Sequence, residues 1–390
     1  MVDAVKKVNW PLAAFTALTL VLVSAHLFRP ALYQHYAWLA DGFLRGRLDI
    51  PRQDLANGLV SDLVVIGGRY FFPLGPLPAV LLIPLVAVFG TSLLVEPVFQ
   101  AVVVLSAALA CYFTARRFSL TKSDATWLAF AFVFSSVAIG CALLNTPWQI
   151  GNMLAALFFL LAGYAQIQKK SPLIVGALCG AALVTRYTAG LGIIFFIAAE
   201  CFERRPWREQ LSRFAKMGAP YVGFLLLLLW YNAARFGSAF DTGYSRHFLY
   251  PGAIKDSLAQ GVFGLRNVGR NFYYYFLKLP EWRGRPWVSQ EGLSFFILSP
   301  IFLLAVRGRR LKYFWPAVAV TVPSLAVCLA YFTTGFVQFG PRYLVELLPF
   351  WFLVLLECVK KQGGLKLWNR GLIAASAALN IALFVAYCYS

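Results

Sequence analysis

The chain has 390 residues, of which 60% are hydrophobic and 13% are charged, and its formal net charge is +19. Soluble domains carry about 25% charged residues, so this composition and the mean hydropathy of +0.69 exclude a soluble globular protein and favour a polytopic membrane protein. The positive charge is not by itself a sign of nucleic-acid binding, because basic residues beside membrane spans orient a chain in the bilayer.

Long apolar runs predict an all-α fold class, a polytopic transmembrane helix bundle that forms one integral membrane domain over residues 1–390. The eleven predicted spans are 11–28, 97–115, 124–143, 149–167, 172–185, 187–202, 219–234, 292–306, 314–333, 343–359 and 371–389. More than half of the 35 basic residues lie in every second gap between these runs. By the positive-inside bias those gaps face the cytoplasm, which puts the N-terminus inside and the C-terminus outside the cytoplasmic (inner) membrane.

The first outward loop, residues 29–96, has its own predicted elements. Apolar residues recur at helical spacing over 33–45 and predict an amphipathic helix on the membrane surface. Gly67 and Gly68 predict a turn that leads into a short strand. The apolar stretch 79–89 is too short to span and predicts a second interfacial helix.

Two further segments complete the outer side. The predicted spans 172–185 and 187–202 are short and meet at Arg186, which favours helices that stop beside a water-filled cavity. The second long outward loop, residues 235–291, is polar and aromatic.

Carboxylates in the first loop are candidates for a general base, because a carboxylate can take the proton of a hydroxyl group. Asp62 precedes the Gly-Gly turn and a proline-rich re-entry, which should hold it near the membrane plane. Asp41 is the second candidate, although it also has the spacing of a helical ion pair with Arg45. Taken singly, each loop acid is more often solvated or ion-paired than catalytic.

Arginines on the outer side are candidates for phosphate binding, because the guanidinium group matches phosphate with two parallel hydrogen bonds. The candidates are Arg342, Arg186 and Arg69. Arg342 follows a Gly-Pro break at the mouth of a span, where an interfacial anchor is the alternative interpretation. Arg186 borders the predicted cavity. The seven cysteines and three histidines show no metal-ligand spacing, so neither a metal site nor a disulfide framework is expected.

Several local stretches, in this order and on the predicted outer side, resemble the GT-C superfamily of integral membrane glycosyltransferases and its bacterial family 39-like members. They are 36–41, 46–51, 62–76, 183–186, 231–238 with Gly243 and Tyr244, and 340–344. The resemblance covers nearly the whole chain and includes the first span followed by a long outward loop with two interfacial helices.

The resemblance implies a glycosyltransferase that moves a hexosyl or pentosyl unit, usually with inversion, from a polyprenyl-phosphate carrier at the outer face. The acceptor is a hydroxyl group of a lipid, a glycan or a protein. A first-loop carboxylate acts as base and outer arginines hold the carrier phosphate. Tyr70, Tyr244 and His35 are the expected substrate contacts. A divalent cation (Mg²⁺ or Mn²⁺) stays open as a cofactor, with no metal ligands assigned, and nucleic acid is not expected as a partner.

One departure from the family concerns the base. Related transferases have an Asp-Glu pair just ahead of the first interfacial helix, whereas this chain has Gln34 and His35 there. Asp62 is then the favoured base, with Asp41 orienting the acceptor or a cation. The alternatives are a transporter of a polyprenyl-linked sugar or other glycolipid and a non-catalytic subunit of the same fold. The few polar groups at mid-depth count against a transporter.

Overall fold

The structure is a computed structural model that describes residues 33–51, 62–203, 205–244, 247–248, 259–335 and 337–388. The predicted first span, 11–28, lies outside these residues, as does 52–61 of the first loop.

Helices dominate the described residues. The α-helices are α1 His35–Leu44, α2 Leu77–Phe89, α3 Val95–Arg117, α4 Lys122–Phe134, α5 Ala138–Leu143, α6 Pro147–Ile167, α7 Pro172–Thr185, α8 Ile193–Cys201, α9 Trp207–Phe236, α10 Val268–Phe272, α11 Phe295–Leu298, α12 Phe314–Ala330, α13 Leu348–Lys361 and α14 Leu367–Cys388. The 3-10 helices are Tyr187–Gly192, Leu265–Asn267, Pro300–Gly308 and Arg342–Glu346, and Tyr273–Leu277 forms a π-helical turn.

Four of the described helices are long and apolar enough to cross a membrane: α3, α6, α9 and α14. They fall on the predicted spans 97–115, 149–167, 219–234 and 371–389. The predicted short span 172–185 is α7, whose 14 residues reach about 21 Å and so fall short of a bilayer core of about 30 Å. The total of eleven spans stays a prediction.

Other predicted spans are interrupted rather than continuous. The run 124–143 breaks between α4 and α5, where the Val137 N–H donates to the Ser299 hydroxyl at 2.9 Å instead of to a helical carbonyl. The run 292–306 is the short helix α11 followed by a 3-10 helix that begins at Pro300, because proline has no N–H to continue the α-helical ladder. Irregular backbone of this kind is tolerated at membrane depth when it is buried in protein.

The first helix of the outward loop, α1, forms where it is predicted but does not lie on a surface. Seven of its ten residues are buried, from His35 to Ala40 and at Gly42. A Cβ at Gly42 would collide with the Asp49 carbonyl oxygen, so the glycine permits this close packing. The prediction of a surface-lying amphipathic helix is therefore wrong for α1. The second predicted interfacial helix is α2, which keeps exposed apolar side chains such as Val88 and Phe89.

A small antiparallel sheet joins the two long outward loops. Its strands are β1 Leu63–Ile66, β2 Arg69–Phe71 and β3 His247–Phe248, in the order β2-β1-β3. The turn between β1 and β2 is Gly67-Gly68, with φ of 56° and 74°, which glycine adopts without steric penalty. The predicted turn and strand are confirmed. A second hairpin pairs β4 Glu281–Trp282 with β5 Pro286–Trp287.

Helix α6 lies at the centre of the bundle and is buried along most of its length. Its first turns reach the outer loops, and its last turn reaches the gap that the charge pattern assigns to the cytoplasm. Small residues allow neighbours to approach it closely, since a Cβ at Gly151 would touch Tyr36 and Arg186. The helix therefore sets the position of the site described next.

Candidate functional site: an arginine-bordered cavity at the outer ends of the helices

Arg186 lies between two helices and is buried. The α7 helix ends at Thr185, Arg186 is extended with φ −149° and ψ 129°, and a 3-10 helix begins at Tyr187. The neighbouring Pro73–Pro78 segment holds this break in place, because Gly75 packs on the backbone of Val184 and Thr185 so closely that a Cβ would collide. The predicted position of Arg186 between two short helices is confirmed.

A carboxylate from the far end of the chain meets Arg186. Glu346, on the 3-10 helix Arg342–Glu346, forms a buried ion pair with the guanidinium group. The same carboxylate accepts hydrogen bonds from Thr188 Oγ1 at 3.0 Å and from Asn152 Nδ2 at 3.1 Å. A buried charge needs such partners, since an unpaired one would be strongly destabilising. The network fixes the orientation of Arg186 without using all of its donors.

Arg342 has a hydrogen-bonded backbone and a guanidinium group with unused donors, and its charge acts on Glu346. Its N–H donates to Gln338 Oε1 at 3.0 Å, and its carbonyl accepts from Asn152 Nδ2 at 3.0 Å. The guanidinium carbon lies 5.9 Å from the ring centre of Trp148 and 5.3 Å from that of Tyr343. Buried Nε and Nη1 have no hydrogen-bond partner among the described residues. A buried guanidinium left in this state is a strong site for an incoming anion.

A cavity of about 560 Å³ is lined by Arg186 and by Tyr343, the neighbour of Arg342, whereas Arg342 itself is not among the lining residues. Its walls are mostly aromatic and apolar, with one cation and one carboxylate. The lining residues are Leu74, Arg186, Tyr187, Thr188, Ser238, Phe240, Asp241, Thr242, Tyr244, Val262, Phe263, Val327, Cys328, Tyr331 and Tyr343. Apolar walls with a few polar groups are the usual composition of a ligand pocket, and the volume is in the usual range.

Asp62 is not among the residues that line this cavity, but it lies within electrostatic range of Tyr244, which is. Its backbone has φ 64°, a left-handed conformation that aspartate tolerates better than most residues, and the strand β1 begins immediately after it. Its charge acts on Tyr244, which lines the cavity: burial raises the pKa of Tyr244, Arg186 opposes the increase, and Asp62 adds to it. The sequence-predicted base and Arg186 therefore both act electrostatically on Tyr244.

The wall also contains a carboxylate that the sequence analysis did not single out. Asp241 lines the cavity, and its Oδ1 accepts the Gly243 N–H at 2.8 Å in a tight turn. Glu346 and Asn152 were missed in the same way. Nothing local marks either residue as part of a site, because each acquires its role only from partners that are more than 150 positions away in the sequence.

No protein-family model and no curated protein matches the chain. ArnT from Cupriavidus metallidurans bound to undecaprenyl phosphate is a solved structure that matches with a TM-score of 0.58 at 15% identity, over 96% of this chain and 64% of that protein. The apo state of the same ArnT matches with a TM-score of 0.50 at 14% identity, over 89% of this chain and 59% of that one.

The chain has the GT-C fold. The resemblance noted in the sequence is therefore confirmed at the level of fold. The chain spans less than two thirds of the length of the ArnT structures that it matches.

Within the GT-C fold, the other first-loop candidates lie in ion pairs. Asp41 is paired with Arg45 Nε at 2.8 Å on the outer side of α1. Arg69 Nη2 lies 2.5 Å from Asp49 Oδ1, and Arg47 Nη2 lies 2.6 Å from Asp49 Oδ2. Neither Asp41 nor Arg69 is among the residues that line the cavity.

The three predicted substrate contacts have different surroundings. Tyr244 lines the cavity. Tyr70 pairs with Ile50 through a backbone bridge and is partly buried beside the core. His35 is buried at the start of α1, with ring centres 4.7 Å from Phe72 and 5.8 Å from Trp148. Since Trp148 also faces the Arg342 guanidinium, His35 belongs to the aromatic layer behind that arginine.

A glutamate supplies a carboxylate at the N-terminus of α1, close to where the GT-C resemblance leads one to expect an acidic pair. Glu96, in the first turn of α3, accepts the N–H groups of Tyr36 at 2.8 Å and of Ala37 at 2.9 Å. The residue before the helix, Gln34, makes no side-chain cap. Glu96 therefore satisfies N–H groups that the helix itself cannot, and it fixes α1 against the bundle.

Proposed function

We propose that the chain is a membrane glycosyltransferase that transfers a sugar from a polyprenyl-phosphate carrier to a hydroxyl acceptor at the outer face. The observation that supports this most is the buried Arg342, whose Nε and Nη1 lack partners among the described residues, one residue before a wall of the 560 Å³ cavity. A phosphate diester is the anion that fits two guanidinium groups beside apolar walls. The solved relative in this fold is named as bound to undecaprenyl phosphate, a carrier of this class.

The proposed reaction is a single displacement. The acceptor oxygen attacks the anomeric carbon, the bond from that carbon to the phosphate oxygen breaks, and polyprenyl phosphate leaves with the bonding electrons. Attack from the face opposite the phosphate inverts the anomeric configuration. The acceptor proton passes to a carboxylate, for which Asp62 is our first assignment, and the arginines stabilise the charge that grows on the phosphate.

Each residue in this scheme has a separate task. Arg342 binds the phosphate, and Arg186, held by Glu346, adds a second cation at the cavity wall. Tyr244 contacts the sugar, and the apolar residues Phe240 and Phe263 face the first isoprene units. Asp62 or Asp241 faces the acceptor. Asp41 has no task in this scheme, because its carboxylate is paired with Arg45.

The deciding experiment is turnover by the purified protein in proteoliposomes. Polyprenyl phosphate that carries a radiolabelled sugar is supplied with lipid, glycan and peptide acceptors, and both products are measured. Release of polyprenyl phosphate in equal amount to the glycosylated acceptor supports the transferase. Movement of the intact carrier across the bilayer without cleavage would support the transporter instead and would contradict the proposal.

A further inference from the structure

A second cavity, of about 320 Å³, lies at the opposite end of the helix bundle. The α6 helix connects the two, since Asn152 belongs to the outer site and Ile167 lines the second cavity. Fifteen residues of helix separate them by about 22 Å. The lining residues are Arg117, Phe118, Gln166, Ile167, Lys169, Glu200, Glu203, Arg205, Arg213, Lys312, Tyr313, Glu357 and Lys360. The charge pattern assigns this end to the cytoplasm.

The carboxylates of this cavity are already occupied. Glu200 accepts two hydrogen bonds from Arg213, at 2.6 and 2.8 Å. Glu203 is paired with Lys312 and lies 3.6 Å from Arg205. Glu357 accepts the backbone N–H of Tyr313 at 3.0 Å. Glu200 and Glu203 therefore pair with three of the six basic residues in the wall, which are Arg205, Arg213 and Lys312.

The other three cations of the wall lie outside these ion pairs, although Lys169 acts electrostatically on Glu203 and Lys360 on Glu357. Arg117, Lys169 and Lys360 form no ion pair with a carboxylate in the part of the chain that the structure describes. The Arg117 guanidinium lies 5.8 Å from the ring centre of Tyr164. The three come from the ends of α3, α6 and α13, so three separate helices bring positive charge to one concave surface.

We propose that this cavity binds the phosphate group of an anionic ligand, and that the ligand is the headgroup of an anionic lipid of the inner leaflet. Basic pockets between the ends of membrane helices suit anionic headgroups. The volume is at the lower end of the range for ligand sites, about 300–1,000 Å³, which suits a headgroup rather than a large solute. Arg309 and Arg310 have the same charge but are exposed and do not line this cavity. The site is separate from the proposed transfer reaction.

The test compares two sets of substitutions that remove the same charge. The first set replaces the three basic residues of the cavity that form no ion pair: Arg117→Gln, Lys169→Gln and Lys360→Gln. The control set replaces exposed basic residues at the same end of the bundle: Arg309→Gln, Arg310→Gln and Lys366→Gln. Unfolding temperature is measured for wild type and both variants as phosphatidylglycerol is titrated into phosphatidylcholine nanodiscs, and separately as inorganic phosphate is added.

We expect phosphatidylglycerol to stabilise wild type and the control set. The cavity set should need at least about tenfold more of this lipid for the same stabilisation, since each cation near a headgroup contributes a substantial part of the affinity. If inorganic phosphate gives the same selective protection, the site takes a soluble phosphate instead of a lipid. Equal losses in both sets, or no stabilisation of wild type by either anion, would overturn the proposal.

A variant with a folding defect is recognised in pure phosphatidylcholine, where both sets should unfold at the temperature of wild type. Lys169→Gln alone, at an exposed position after α6, serves as the milder variant. It should show part of the weakening in phosphatidylglycerol. If the triple variant misfolds, the single variant decides. Unchanged stabilisation of Lys169→Gln by phosphatidylglycerol would then contradict the proposed site.

Discussion

At the scale of single residues, Arg342 stands out because its charge is buried and its donors are not used. Nε and Nη1 have no partner among the described residues, whereas the backbone on either side of the side chain is hydrogen-bonded. Burying an unsatisfied polar group costs about 1–3 kcal/mol, and more for a charged group. The phosphate that we propose as ligand would satisfy these two donors.

Replacing this cation should weaken carrier binding. We expect Arg342→Gln to raise the Kd for polyprenyl phosphate roughly ten- to a hundredfold, because a hydrogen bond to a charged group contributes about 1.5–3 kcal/mol. The measurement is equilibrium binding of a fluorescent carrier in nanodiscs. Arg283→Gln is the matched control, since it removes the same charge from an exposed outer hairpin. If the two changes raised the Kd equally, the proposed role of Arg342 in binding the phosphate would be contradicted.

The base can be assigned by comparing two carboxylates. Asp62→Asn should lower kcat by about 10²–10⁴-fold, the usual contribution of a general base, with little change in carrier binding. Asp241→Asn should keep most of the activity, because an asparagine oxygen can still accept the Gly243 N–H that Asp241 accepts now. Asp41→Asn should be close to wild type. The opposite result for Asp62 and Asp241 would assign the base to the cavity wall.

At the scale of elements, the first loop is held in place by ion pairs and hydrogen bonds. Only some of these contacts can be predicted from the sequence of the loop. The segment between α1 and β2 is held by Asp49, which is buried between Arg47 and Arg69. Burial opposes ionisation of this carboxyl group, but the hydrogen bonds from Arg69 and Arg47 outweigh it and lower its pKa to about 2. Its ordinary value is 3.8.

This lowered pKa predicts an acid-sensitive loop. The ion pairs contribute their full stabilisation above the unfolded pKa of 3.8 and lose it as the pH falls through about 2. Both arginines are about half exposed, so screening limits the effect to roughly 1–2 kcal/mol. We measure cleavage by pepsin relative to an unfolded peptide cut at the same pH, which removes the pH dependence of pepsin itself. On this scale we expect residues 45–71 to be cut on the order of tenfold faster at pH 2 than at pH 4. The relative rate for Asp49→Asn should be similar at the two pH values; an equal pH response in the variant and in wild type would contradict the assignment.

The α1 helix depends on a residue from the following membrane helix. Glu96→Ala leaves the N–H groups of Tyr36 and Ala37 without their acceptor, so we expect a loss of about 2 kcal/mol or more in the free energy of unfolding. Glu96→Gln keeps an acceptor oxygen and should lose less. Chemical unfolding in detergent, followed by tryptophan fluorescence, measures both. Equal losses in the two variants would show that the carboxyl group, which both changes remove, is required and that an acceptor oxygen of the same size is not enough.

At the scale of the whole molecule, the two long loops belong to one side. Leu63 and Val64 of the first loop pair with Phe248 and His247 of the second, so whichever face of the membrane holds one loop holds the other. The basic cavity lies at the far end of α6. The molecule therefore has an aromatic, arginine-bordered site at one end and a more strongly basic cavity at the other, and the positive-inside bias assigns the second end to the cytoplasm.

Cysteine labelling in intact cells tests this orientation of the chain in the membrane. The exposed native residues Cys201 and Cys388 are first replaced by alanine. Leu44→Cys and Trp282→Cys, both at exposed positions of the outward loops, should then react with a maleimide that cannot cross the membrane. Arg309→Cys should react only after the cells are opened. Labelling of the first two from the inside alone would reverse the orientation and, with it, the proposed outer-face reaction.

The sequence by itself determined the membrane class, the position of the long helices, the Gly67-Gly68 turn and the break at Arg186. These features are local: hydropathy sets a span, φ > 0 selects glycine, and two adjacent helix ends expose the residue between them. The resemblance to the GT-C family also came from short stretches, and the structural match confirms it at the level of fold alone.

Only the tertiary structure decided which of the candidate residues meet. Glu346 joins Arg186 across 160 positions, and Asn152 joins Glu346 across 194, so no spacing in the sequence reports these contacts. The same holds for α1, whose pattern fits a surface helix but whose residues are buried because α2 and α3 pack around it. Burial is a property of what surrounds a segment, and those surroundings exist only once distant parts of the chain have come together.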